Sequence, residues 1–156
     1  MDDELKGVKG WLLTFVIIVA VVSPALNAIG IIRSFSAHPG LGQFFPEVEK
    51  FEWILCGILT LIGWFIAWRL LTIHNWLSVR LAIAGIWIAG LGLNALEFFG
   101  VSYFTGIPSD LLLSASGPST FIRPIIFGII WTSYLLKSER VANTYRDPGE
   151  QAEVFE

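Results

Sequence analysis

Four apolar blocks, each about as long as a bilayer is thick, constrain this chain more than any other feature. They run from about Trp11 to Ile32, Phe51 to Ile73, Leu77 to Phe99 and Thr120 to Leu136. A membrane-crossing α-helix needs roughly 20 predominantly apolar residues, since each residue rises 1.5 Å and the hydrocarbon layer is ~30 Å deep. The chain is therefore expected to be all-α, a polytopic membrane protein. Its four transmembrane helices would form one bundle over residues 1–146, and 147–156 would be an acidic tail. Only 15% of its 156 residues are charged, against about 25% in soluble domains, and the deficit is concentrated in the four blocks.

The first block resembles the apolar stretch of a secretion leader, yet Asp2, Asp3 and Glu4 precede it where a leader carries basic residues. It is read as a retained helix. Blocks two and three are joined by only His74, Asn75 and Trp76, a tight hairpin.

With four crossings, both termini and the two–three hairpin share one side of the membrane. Of the ten Lys and Arg residues, seven lie there (Lys6, Lys9, Arg69, Arg80, Lys137, Arg140, Arg146) and three opposite (Arg33, Lys50, Arg123). The excess predicts cytoplasmic termini, because basic loops resist translocation. Trp11, Trp131, Tyr134, Lys137 and Arg140 are read as interfacial anchors, amphipathic or cationic groups suited to the headgroup layer.

The segment from Arg33 to Lys50 is expected to be partly structured along the membrane surface, with Glu47 and Glu49 as a solvated lead-in to helix two. "PSDLLLSAS" predicts a short interfacial helix capped by Ser109. The tail from Lys137 onward is expected to prolong helix four until Pro148-Gly149.

Helices in lipid associate by close contact, so small residues mark their interfaces. Ala82, Gly85, Ala89 and Gly92 make such a face on helix three. Cys56, Thr60, Gly63 and Ala67 make one on helix two, and Ala20, Ser23, Asn27 and Gly30 one on helix one. The alternative use of such a face is assembly with another protein.

Polar groups inside a bilayer are costly and tend to face the protein interior. Asn27, Asn94, Glu97 and Arg123 are expected at similar depth in the outer half, Glu97 within a turn of the end of helix three. The reading adopted is a Glu97–Arg123 ion pair tying helix three to helix four; the alternative is that each reaches the headgroups independently.

The sequence offers little catalytic chemistry. It has no phosphate-binding glycine loop and no HExxH or paired-Cys motif. Cys56 is the only cysteine, so no disulfide or thiolate metal site forms within one chain. His38 and His74 fall on opposite sides of the membrane, which rules out a bis-histidine haem in a monomer. No metal and no cofactor are expected, and no basic patch suits nucleic acid. The expected partners are the lipid bilayer and other membrane subunits or further copies of the chain. The leading expectation is a non-enzymatic accessory or assembly subunit of a membrane complex. The alternative is a small-molecule or ion transporter, working as an oligomer with the outer polar set as its site.

Two segments carry a resemblance. In "LKGVKGWLLTFVIIVAVVSPALN" the residues Gly10, Trp11, Leu12 and Pro24, with Lys9 in place of a glycine, resemble the opening of the family of small four-helix bacterial inner-membrane proteins called domain-of-unknown-function family 2569. In "IIWTSYLLKSERVANTYR" the residues Trp131, Tyr134, Ser138, Arg140, Val141, Thr144 and Tyr145 resemble the family's terminal pattern. The resemblance implies a multi-pass protein of the bacterial inner membrane, and supplies no reaction or catalytic residues.

Overall fold

The computed structural model describes residues 7–117 and 119–146, so the acidic tail at 147–156 lies outside the described residues. The described residues are helical throughout apart from short connections. Four helices are long and apolar enough to cross a membrane: α1 (Trp11–Ala37), α3 (Pro46–Thr72), α4 (Trp76–Thr105) and α6 (Ser119–Lys137). Three short ones complete the described residues: α2 (Pro39–Phe44), α5 (Ser109–Ser116) and α7 (Glu139–Tyr145).

The long helices overrun the apolar blocks because a helix stops at a backbone signal rather than where hydropathy falls. α1 continues to Ala37 and breaks at His38, the residue before Pro39, where φ −130° and ψ 69° relieve the clash with the proline ring. α3 begins with Pro46, which needs no N–H in the first turn. α4 ends at Gly106, whose φ of 70° is the left-handed closure that glycine adopts without strain. The expected surface loop from Arg33 to Lys50 is thus helical for most of its length.

Two further expectations are corrected. α5 forms where "PSDLLLSAS" placed it, but Pro108 precedes it and Ser109 is its first residue rather than a side-chain cap. α6 does not run on into the tail: Ser138 turns extended at φ −73° and ψ 123°, and α7 starts afresh at Glu139. The α3–α4 hairpin is held by Asn75, whose side chain accepts from the Ser78 N–H at 3.0 Å, while the buried Ser78 hydroxyl donates to the Ile73 carbonyl at 2.7 Å.

Packing is uneven along the bundle axis. Near the end that carries the termini, Leu12, Phe15, Leu70, Val79, Leu135 and Val141 form a closed core joining all four long helices and α7. Trp131 belongs to that core. It is 8% exposed, with its ring centroid 4.8 Å from that of Phe15, so it is not the interfacial anchor its position suggested. Tyr134 packs edge-on against it at 5.7 Å and is half-buried. Trp11 and Lys137 remain exposed. One guanidinium nitrogen of Arg140 is buried without a hydrogen-bond partner.

Toward the opposite, distal end the packing loosens: no residue of α4 from Ile88 to Thr105 is buried. Two local irregularities mark the change. At Ile18–Val22 in α1 and at Ile88–Gly92 in α4 the helix opens by one residue into a π turn, with Ser23 N–H bonding Ile18 and Leu93 N–H bonding Ile88. Each π turn resets the facing register by one residue. Ala82 and Gly85, before the turn in α4, are buried as the small-residue face requires. Gly92 is turned outward, with only atoms of its own helix near a built Cβ, and Gly90 instead approaches Pro124 of α6, at 3.4 Å.

Candidate functional site

The polar residues singled out in the sequence meet in the loosely packed distal half, with one substitution in the cast. Asn27 of α1, Asn94 and Glu97 of α4, and Glu52 of α3 line one small cavity of about 50 Å³. Arg123 does not line it. Among the described residues the one ion pair is the exposed Lys50–Glu47, at 2.9 Å, so Glu97 and Arg123 are not paired. The reason is rotational: Arg123, an exposed residue of α6, faces the neighbouring groove, while Glu97 faces α3. Nor is Glu97 near a helix end. α4 continues eight residues past it to Thr105, about 12 Å at 1.5 Å per residue.

Glu52 escaped the sequence reading because it follows Glu47 and Glu49 and reads with them as a solvated approach to the apolar block. The signal that finds it is periodicity. Glu52, Cys56, Gly63 and Ala67 recur at helical spacing on one face of α3, and Cys56, Gly63 and Ala67 are buried. A carboxylate on the same face as the packing glycine points inward.

Asn94 is the junction of the site. Its side-chain amide donates to the Gly90 carbonyl one turn earlier, and it borders three cavities. Besides the carboxylate cavity these are a groove of about 350 Å³ among the four long helices and a space of about 200 Å³ beneath α5, where Glu97 also appears. Glu97 is therefore reached from two sides. Ala89, taken from the sequence as a packing residue, lines both the carboxylate cavity and the groove. Among the described residues no group of three or more His, Cys, Asp or Glu side chains converges as a metal site.

At the other end of the bundle the two sequence segments that resembled one family prove to be a single structure. Leu12 lies in the core with Trp131 and Val141. The Gly7 N–H donates to the Thr144 hydroxyl at 3.0 Å, and the Tyr145 hydroxyl donates to the Leu70 carbonyl in the last turn of α3. That bond satisfies one of the carbonyls that a helix end leaves without a partner. His74 stacks on Tyr145 at 5.7 Å, and the Arg146 guanidinium sits 4.3 Å from the Trp76 ring centre. The family whose description reads protein of unknown function (DUF2569) matches residues 5–146, a span that includes both segments. The chain belongs to DUF2569. No curated protein and no solved structure matches it. In this DUF2569 chain most of the matching residues of the two terminal segments close the bundle, whereas the polar cavity is built from residues between them together with Asn27, the last residue of the first segment.

Proposed function

We propose that this DUF2569 protein is a non-enzymatic carrier of the bacterial inner membrane, an oligomer with cytoplasmic termini that handles a small cation at the Asn27–Glu52–Asn94–Glu97 cavity. One observation carries the reading: two carboxylates from different helices face one cavity of about 50 Å³, and among the described residues neither is in an ion pair. A charge within a membrane helix costs ~2.5–3.5 kcal/mol on insertion scales. Two of the same sign facing each other are relieved by taking up a proton or a compensating metal cation. Two carboxylates and two carboxamides form an all-oxygen donor set suited to a hard ion, and the cavity holds about one such ion or a water. Two acidic ligands rather than three or more favour a singly charged ion.

The test is flux through proteoliposomes carrying sodium- and pH-sensitive dyes under an imposed potassium diffusion potential. The reading expects protein-dependent movement of Na⁺ or H⁺ that disappears in Glu52→Gln and in Glu97→Gln. Wild-type vesicles tight to both ions would overturn it.

A second reading, an accessory or assembly subunit, draws on Gly30 and Gly57. Both are exposed on long helices with open space around a built Cβ, as a helix of another protein would require. Copurification in a gentle detergent separates the two. A stoichiometric complex with another protein, lost in Gly57→Leu, supports the subunit reading, and a monodisperse homo-oligomer supports the carrier.

A further inference from the structure

The groove beside the carboxylate cavity has its own chemistry. α1 packs on α3, and α6 packs on α4. α1 and α6 meet near the terminal end, where Phe15 and Trp131 form a floor. Above that floor the four helices enclose a half-open space of about 350 Å³, within the range of sites for small organic ligands. Along α4 it extends from Gly85 to Asn94, about 14 Å at 1.5 Å per residue. Val19, Ile62, Ile66, Ile86 and Phe127 make its walls apolar. Arg123 is its one charged lining residue, and it stands with Asn94 at the distal end.

The helix irregularities converge on the same space. Val19 belongs to the π turn of α1, Ala89 and Gly90 to that of α4, and Pro124 is the proline inside α6. Two of the four long helices thus carry a π turn where they border the groove, and a third lacks a backbone N–H there at its proline. Single π turns within α-helices are frequent at functional sites.

We infer that the groove binds a single-chain amphiphile with an anionic headgroup, its chain lying along α4 and its headgroup at Arg123. The apolar walls select a chain, and the open side of the groove lets it enter from the lipid. The lone guanidinium supplies charge complementarity to a carboxylate or phosphate. No acidic residue lines the groove to oppose an anion. This inference stands apart from the cation reading, since neither Glu52 nor Glu97 borders the groove.

The test measures saturable binding of radiolabelled palmitate to the detergent-purified full chain, with hexadecanol as a neutral competitor of equal chain length. Wild type is expected to bind about one palmitate per protomer and to prefer it to hexadecanol by about tenfold, a difference of ~1.4 kcal/mol. Arg123 is exposed, so Arg123→Gln should fold; it should bring palmitate down to the hexadecanol level. Ser23→Phe, which fills the groove from α1, should weaken both ligands. Arg33→Gln, outside the groove, should change neither. Absence of saturable palmitate binding, equal wild-type affinity for the two chains, or an unchanged preference in Arg123→Gln would each overturn the proposal.

Discussion

The indole N–H of Trp64 in α3 donates to the backbone carbonyl of Ala20 in α1, at 3.0 Å. That carbonyl would ordinarily accept from the residue four positions on, but that residue is Pro24, which has no N–H. A side chain from the neighbouring helix therefore replaces a bond that the proline removed. Trp64→Phe should destabilise the bundle by about 1–2 kcal/mol, because the carbonyl is left unpaired in an apolar setting. In a Pro24→Ala background residue 24 regains its N–H, and the same change should cost under ~0.5 kcal/mol. Unfolding in detergent, run as a double-mutant cycle, measures both; equal costs in the two backgrounds would show that the indole bond is incidental.

Gly63 and Gly92 should separate sharply on substitution. A Cβ at Gly63 would collide with the Val19 carbonyl across the α1–α3 contact, whereas one at Gly92 meets only its own helix, at 3.9 Å and beyond. Gly63→Ala should cost about 1–3 kcal/mol, as overpacking does. Gly92→Ala should be neutral or slightly stabilising, because alanine is the better helix former. Thermal unfolding of the two variants side by side decides the matter.

Charge coupling should follow the cavity rather than the expected ion pair. Glu97→Gln and Arg123→Gln should combine additively, within about 0.5 kcal/mol, since the two groups do not pair. Glu52→Gln and Glu97→Gln line one space and should not be additive: once one charge is removed, removing the second should yield a smaller further change. Stability measurements on the three single and two double variants test this, and a large Glu97–Arg123 coupling would restore the pair.

Tyr145 should give the protein an alkaline limit. Burial pushes its phenol above the ordinary value of 10.0. The folded state then holds the proton more tightly than the unfolded state, so this contribution is intact below pH 10. It is lost as pH rises from about 10 toward the raised value, by at most ~1.4 kcal/mol per pH unit. Tyr145→Phe should remove that alkaline slope. It should also lower stability at neutral pH, because the Leu70 carbonyl loses its partner. Parallel pH–stability profiles of wild type and variant are the measurement.

Reporter fusions address the proposed orientation. Fusions after Gly42 and after Ser114 should report the outer side, and one at Glu156 the cytoplasm. The reverse pattern would show that the seven-to-three distribution of basic residues does not govern this chain.

The apolar blocks by themselves determined that the chain forms four long helices, and "HNW" that two of them make a hairpin, because hydrocarbon leaves a 20-residue apolar run no other way to satisfy its backbone. Asn27, Asn94 and Glu97 were legible as a polar set for the same reason: polar groups stand out against apolar helices. Tertiary structure alone decided which residues face one another. Each π turn inserts a residue and rotates everything beyond it, so Gly92 left the packing face that regular spacing gave it, and no hydropathy pattern records that rotation. Glu97 met Glu52 rather than Arg123 because the partner depends on how α3 and α6 are turned about their axes. Trp131 is buried on Phe15 because α1 and α6 meet at that end of the bundle, a contact between residues more than a hundred positions apart. Local sequence sets where a helix begins, what it can bury and where its backbone bonds fail, while the neighbour that fills the gap, as Trp64 does for Ala20, comes from packing across the bundle.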